Sequence, residues 1–430
     1  MDEGPTLHQR FGKSRTQSTS NITPESIDER IVPSLVAQSM RKQQPVIFGS
    51  FVLTAFKRWF GLNKYRVHVP WTVYVAHKMG QSPAFDASIY CLNATFMGHS
   101  HTNTMLQRSS REMYSKALRL FGDRIHDPDK MKSRESVSIT ILLSLFEVYA
   151  RTNPDSWARH AGGTALLLAH RGPNAHLTGF DRCLYLSFRS FIVAEAFINE
   201  KRCIFERAEW QAHIDQVRAE DMADPRVDGP IALFIDLQDR IFMVVSKVPG
   251  LLFQARRLHT TPDCEKASKR LVFQSLRCRQ ALHTLSAQLR VAAAAQSSWA
   301  DTAFRDGAKG PFIGPIPSTF PQEFANSVLR GSDICISILQ ILLEYLDRTE
   351  SHLMKSKLSE DVLEVSDPLS FRIVSKLGAG MSDDTPSADK WCDMVAASMG
   401  LEAFDIVTCA SESPDSSDNQ GCSEQCSLQR

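Results

Sequence analysis

The side chains best suited to chemistry are few and scattered. His160 and His170 lie ten residues apart in one apolar helical stretch, and Asp236 and Asp239 lie three apart in another. A histidine in such a setting is expected to be a hydrogen-bonded structural residue rather than a ligand or base. One of the two aspartates is expected to be buried and paired with Arg240 or Arg189; the alternative is an acid/base carboxylate. Gly378-Ala379-Gly380-Met381 begins like a dinucleotide loop but lacks the third glycine and follows no convincing strand. Cys422 and Cys426, four apart without a histidine partner, make a poor zinc site. The sequence contains no GxSxG, HExxH or Walker loop. No catalytic, cofactor-binding or metal-ligating residue is therefore assigned, no cofactor is expected, and the chain is not expected to be an enzyme. Phe234, Phe242 and Met243 could line a ligand cavity between helices; the same stripe also reads as core.

The scaffold that would carry such residues is bounded by composition. The chain has 430 residues, enough for two or three domains or for one large helical array, and 43% of them are hydrophobic, enough for a core. Basic and acidic side chains number 49 and 48, a formal charge of +1. That balance gives no global pull toward DNA or an anionic membrane. No apolar run approaches the roughly 18–20 residues that span a bilayer. The ten cysteines are spread along the chain, mostly in apolar helical contexts where a thiol acts as a small hydrophobe. With no signal-peptide pattern, a reducing compartment is expected.

Residues 1–33 and 411–430 are polar and expected to be disordered, and the span between them reads as helix after helix. Phe48, Val52, Ala55 and Trp59 form a stripe, with Pro45 expected to break the segment before it. Val67, Val69, Trp71, Val73 and Val75 alternate, which suggests either a strand or a connector with a short helix. Asp86–Gly98 and Asn103–Arg124 are expected to pair, with Asp86 as N-cap and Tyr114, Ala117, Leu118 and Phe121 on one face. Asp181–Lys201 carries Leu184, Phe188, Phe191, Ile192, Glu195 and Ala196 on one side. Arg189 is expected to lay its stem on aromatic rings and to pair with Glu195 or Glu147. Residues 206–228 read as a polar loop with a short helix anchored by Trp210. Ile231–Val248 is an apolar helix stopped by Pro249. A long helix runs from Thr261-Pro262-Asp263 to about Ala295, with Leu271, Ser275, Cys278, Leu282, Leu285 and Leu289 as its seam. Its outer face carries Lys266, Lys269, Arg270, Arg277 and Arg279. After a loop at 296–321, Glu323–Leu346 is a further apolar helix, and Asp389–Leu401 a last short one.

The centre of the chain is 136–173. Val137–Tyr149 is apolar almost all round and should be buried on most sides. Asn153-Pro154 should cap and open the next helix, and Gly172-Pro173 should end it. Trp157, Ala161, Ala165 and Leu168 form its stripe. Gly162 and Gly163 lie mid-helix, where each costs about 1 kcal/mol against alanine, so another backbone is expected to pass close by. The reading is an all-α fold, an irregular multi-helix array of antiparallel helix pairs with disordered tails.

These residues also carry a resemblance. Tyr114-x-x-Ala117-Leu118, Glu147-x-Tyr149, Trp157-x-x-His160-x-x-Gly163, Arg171-Gly172-Pro173, the helix around Arg189 and then Trp210 resemble the regulatory domain of fungal binuclear zinc-cluster transcription factors. The likeness covers roughly 35–410, so the expected domain is 34–410. The six cysteines by which those factors hold two zinc ions and read DNA have no counterpart, since no CxxC occurs. The resemblance implies a transcription-factor-like regulator acting in the nucleus through protein contacts, within a fungal metabolic or secondary-metabolite gene cluster. The chain would form a homodimer or pair with an intact factor. It would bind no DNA sequence and no membrane by itself, and would have room for a small-molecule effector. The alternative is an enzyme or small-molecule-binding protein of fungal secondary metabolism on the same scaffold, in the nucleus or the cytoplasm. Trp157, His160, Gly163, Arg171, Gly172 and Pro173 are the structural motif residues.

Overall fold

Apolar residues recur at helical spacing through most of the chain, and the computed structural model is helical to match. Helices hold 87% of the described residues, with no strand among them. The structure describes residues 42–52, 66–67, 69–150, 152–153, 156–225, 227, 229–258, 263–295 and 320–356. The polar ends at 1–33 and 411–430, the 389–401 segment and the glycine-rich 378–381 stretch lie outside them.

Helix α1 covers 42–52 and contains Pro45 instead of breaking at it. It buries Phe48, Phe51 and Val52; Ala55 and Trp59 lie outside the described residues. The alternating stretch is a helix, α2 (Trp71–Lys78), which buries Trp71 and Val75 one turn apart and leaves Val73 exposed. Helix spacing i, i+4 hides inside an alternating pattern when apolar residues fall on two sides. Helices α3 (Pro83–Ser100) and α4 (Thr104–Ile125) pack along each other, joined by three residues. The cap of α3 is Ser82, not Asp86: its hydroxyl accepts from the Phe85 N–H, while Asp86 accepts from the Gly80 N–H. Asn103 caps α4. On the expected face of α4, Ala117 is fully buried but Leu118 stays exposed at the edge.

The centre of the chain folds as expected in outline. α5 (Arg134–Ala150) is buried continuously from Glu135 to Glu147. α6 (Ser156–Arg171) packs back against it, burying Trp157, Ala161, Ala165 and Leu168. The Ser156 N–H donates to the Asn153 carbonyl; Pro154 lies outside the described residues. Trp157 meets the Phe191 ring edge-on at 6.0 Å. Gly172 ends α6 with φ +76°, a conformation that suits glycine, and Pro173 opens a short 3-10 turn, Pro173–His176. Arg171 ties three pieces together: it donates to the Lys132 carbonyl and pairs at 2.6 Å with Asp181, which also holds Arg134.

The remaining elements are α7 (Gly179–Ile198), α8 (Ala208–Ala223), α9 (Gly229–Val245), α10 (Val248–Arg256), α11 (Cys264–Ala295) and α12 (Phe320–Ser356). Residues 206–228 are thus mostly helix: α8 buries Trp210, His213, Ile214, Val217 and Asp221 along one stripe. Two of those five residues are polar, which disguised the stripe. Pro249 does not stop α9; it sits in the first turn of α10, where a missing N–H costs nothing. On α11, Leu271, Leu282, Leu285, Leu289 and Ser275 are buried as the seam requires, against α12. Two apolar cores result. One runs from α1 to α8, with Phe242 reaching into it; the other joins α9 to α12. No described helix is long and apolar enough to cross a membrane.

The two mid-helix glycines differ from expectation. No backbone crosses at either. A Cβ at Gly162 would stand 2.9 Å from the Glu195 carboxylate of α7, whereas a Cβ at Gly163 would meet nothing within 4 Å. The close approach is therefore a side chain, and it belongs to Gly162 alone. Gly163→Ala is expected to stabilise the protein by about 0.5–1 kcal/mol through helix propensity. Gly162→Ala should lose that gain against Glu195, giving no net stabilisation or a loss. Urea midpoints measured side by side decide this; equal gains for both variants would mean that the Glu195 contact does not constrain the helix.

Candidate functional site

Two polar networks run through the apolar cores. The first gathers the motif residues of the centre. Tyr114 on α4 places its hydroxyl 2.8 Å from Nε2 of His160 on α6. Glu147 on α5 lies beside the same hydroxyl. The imidazole tautomer sets which of Tyr114 and His160 donates. Glu147 also accepts from the Thr152 backbone N–H and hydroxyl. Burial pushes the Tyr114 phenol above its usual range, with Glu147 adding to the rise. Burial likewise pulls His160 down, so it is neutral. A neutral imidazole held by a neutral phenol positions three helices and offers no activated base. His160 thus has the structural role expected of it; His170 sits exposed near the end of α6.

The second network is ionic and almost wholly buried. Arg66 is 1% exposed. Its Nε meets Asp221 of α8 at 2.7 Å, and its two terminal nitrogens meet Asp239 of α9 at 3.2 and 2.5 Å. Asp239 also accepts from Arg189 of α7 at 2.6 Å. Asp221 also accepts from Arg182 of α7, which reaches Glu220 at 3.0 Å and the carbonyls of Leu177 and Val217. Arg189 lies 4.4 Å over the Phe242 ring and 5.6 Å over Tyr185. It is the guanidinium head that lies over the rings, and its partner is Asp239: Glu195 instead holds Lys201, and Glu147 holds Thr152. Asp239 is the buried member of its pair, while Asp236 pairs with Arg218 and Arg240 near the surface.

Charge balance sets the ionisation here. Burial opposes a charged Asp239, yet Arg189 and Arg66 outweigh it and hold the carboxyl below its usual range. At Asp221 burial wins, and the carboxyl is pushed up although Arg66 and Arg182 pull it down. Arg66 stays above its ordinary value despite burial, because both aspartates face it. His213 sits beside the network, edge-on to Tyr185 at 4.8 Å and to Trp210 at 5.4 Å. It is 3% exposed, and neither ring nitrogen has a hydrogen-bond partner. Burial, with Arg182 and Arg189 nearby, pushes it down to about 4.

Next to this network lies a cavity of about 190 Å³. Leu177, Thr178 and Arg182 form its wall at the start of α7. Glu220, Asp221 and Asp224 form the wall at the end of α8, and Arg66 closes it. Phe234, Phe242 and Met243 do not line it; Phe234 belongs to the second core, Phe242 to the first, and Met243 packs against the first. The described cysteines are free, and Cys91, Cys183, Cys203 and Cys335 are buried. Burial pushes Cys203 and Cys335 up to about 12, as expected of inert core thiols. Of the site residues, Asp239 and Arg189 were foreseeable. Arg66, Arg182 and Asp221 were missed, although Arg182 lies two turns before Arg189 on an otherwise apolar helix, a visible signal.

The chain is 27% identical over 405 residues to an uncharacterized protein of Emericella nidulans, covering 89% of this chain and 84% of the other. No family model matches the chain. No solved structure matches it either.

Removing one member of a buried ion network leaves the others uncompensated, at about 3–5 kcal/mol. Asp239→Asn is expected to cost about that much in urea denaturation, because Arg66 and Arg189 both lose their main partner; a loss under 1 kcal/mol would show that solvent already screens the cluster. The histidines give a second test. His213 and His176 are pushed down to about 4 and about 3, chiefly by burial. Both then bind protons more weakly folded than unfolded, where the value is about 6.5. Stability from them is complete above that value and is lost as pH falls. Each should cost about 2 kcal/mol at about pH 5 relative to neutral pH. His213→Phe should melt with a visibly flatter pH profile than the parent over this range; an unchanged slope would remove His213 from the account.

Proposed function

We propose that the chain is a transcription-factor-like regulatory protein that acts in the nucleus through protein contacts, within a fungal metabolic or secondary-metabolite gene cluster. The observation that carries this reading is the gathering of the resemblance-bearing residues. Tyr114 bonds His160, and Glu147 stands beside that pair. Trp157 packs on Phe191 of the neighbouring helix, and Arg171 ties α6 to α7. Short motifs far apart in sequence thus serve one scaffold, as they would in a domain of that kind. The all-helical build agrees with the same reading. The sequence has no CxxC pair, and its charge is nearly balanced. The partner is accordingly another protein, a second copy or an intact DNA-binding factor, and this chain by itself selects no DNA sequence.

A second reading, a small-molecule-binding protein on this scaffold, is favoured by the polar cavity between α7 and α8.

The test of the first reading joins the full chain to a heterologous DNA-binding module and a fluorescent tag in a fungal host. Nuclear fluorescence together with a several-fold change in a reporter downstream of the tethering site is the expected result. A fusion excluded from the nucleus, with the reporter at its untethered level, would overturn it.

A further inference from the structure

The whole chain carries a formal charge of +1, yet α11 alone holds six basic side chains against one acid, Glu265. Its seam meets α12 and its flanks meet α9 and α10, which leaves an outer face to solvent. That face presents Lys266, Lys269, Arg270 and Arg277 around two apolar side chains, Phe273 and Leu276, which are 61% and 42% exposed. Phe273 and Leu276 are neighbours one turn apart, and the Arg277 guanidinium stands 5.7 Å over the Phe273 ring. Lys266 and Lys269 pair with Asp263 and Glu265, whereas Arg270 and Arg277 meet no carboxylate among the described residues. Apolar groups left in water beside unpaired cations suit a partner that brings both aliphatic surface and carboxylates.

The chain itself brings such a segment to this face. α12 runs antiparallel to α11: Ser332 bonds Ser286, and Gln340 accepts from Arg279. From Gln340 to Ser356 is about 24 Å of helix, and from Arg279 back to Lys266 is about 20 Å. α12 therefore ends beside the first turn of α11, next to its basic residues. Beyond Ser356, outside the described residues, the sequence continues Lys357-Leu358-Ser359-Glu360-Asp361-Val362-Leu363-Glu364-Val365-Ser366-Asp367. Residues 360–367 hold four acids, three aliphatic side chains and no cation. The three residues before them reach about 10 Å, the width of a helix, and an extended eight-residue segment spans about 26 Å. Lys266 to Arg277 is about 17 Å, so the segment is long enough to run along the whole basic face.

We propose that the outer face of α11 is a docking surface occupied by the chain's own residues 360–367. The aliphatic residues of the segment cover Phe273 and Leu276, and its carboxylates meet the cations around them. A segment tethered so close to its site acts at an effective concentration on the order of millimolar. An outside partner for this face must therefore displace the segment, and must itself be both acidic and apolar. The inference goes beyond the regulatory reading and depends neither on nuclear action nor on the cavity.

The test is competition within the full chain. A fluorescent synthetic peptide of residues 357–371 is titrated with the parent and with a variant carrying Asp361→Lys, Val362→Ser, Leu363→Ser and Glu364→Lys, and binding is read by anisotropy. The variant, its face uncovered, should bind the peptide, and more weakly as salt rises. The parent should bind it at least about tenfold more weakly, because its own segment is in place. Adding Phe273→Ser and Arg277→Glu to the variant, both at exposed positions, should weaken binding about tenfold or more. Equal binding by parent and variant would overturn docking of the segment, and binding by neither would overturn the surface. Carbodiimide cross-linking of a mixture of isotope-labelled and unlabelled parent chains identifies the source of the segment. Mass spectrometry should find Lys266 or Lys269 joined to an acid of residues 360–367 in the same chain. Such links found only between labelled and unlabelled chains would overturn the proposal and assign the face to a second copy.

Discussion

A guanidinium buried without a counter-charge is too costly for any fold of this size to keep. Arg66 is buried, and two carboxylates, more than 150 residues further along the chain, neutralise it. Asp221 belongs to α8 and packs with the first core; Asp239 belongs to α9, which opens the second. The segment ahead of α2 is therefore fastened to both cores by one side chain. Arg189 and Arg182 extend the fastening to α7, itself buried along most of its length. Dispersion and apolar burial hold each core together, but they are indifferent to which helix meets which. Fixed donors and acceptors are not: a bidentate pair between Arg66 and Asp239 has one register. The ionic network supplies the specificity of the join, whatever its net contribution to stability.

The first polar network works differently. Tyr114 and His160 satisfy one another across α4 and α6, and Glu147 of α5 is met by Thr152. Such a set rigidifies a corner of the first core without tying distant parts of the chain. Arg171 does similar local work at the junction of α6 and α7. The motif residues are thus scaffold residues, and their recurrence in a regulatory domain would reflect packing, not chemistry.

The helices themselves were legible in the sequence because their apolar stripes are long and their caps are ordinary residues. Asn103, Gly172 and the seam from Leu271 to Leu289 behave as their types dictate. Several errors share a cause. They arose where a polar residue does the work of an apolar one, or where a contact is made far along the chain. His213 and Asp221 disguised α8 as a loop because both are buried in its stripe. Gly163 was read as a close crossing, but glycine spacing alone does not say what stands opposite; at Gly162 it is the Glu195 carboxylate and at Gly163 it is open space. Arg189 had Glu195, Glu147 and the aspartates Asp236 and Asp239 as expected partners, and its pairing with Asp239, 50 residues away, is one of those alternatives. Arg66 carried no signal at all. Its burial follows from where Asp221 and Asp239 end up, which only the folded chain determines.

The cavity and the join between the cores share residues, so they cannot be energetically independent. Arg66 and Arg182 line the cavity and also bind the aspartates that fasten α8 and α9. Asp221 accepts from Arg66 and Arg182, and Asp239 from Arg66 and Arg189, so a change at either aspartate is felt by both of its arginines and, through Arg66, by the other aspartate. The wall of the cavity is thereby built from the same side chains that set the register of α8 against α9.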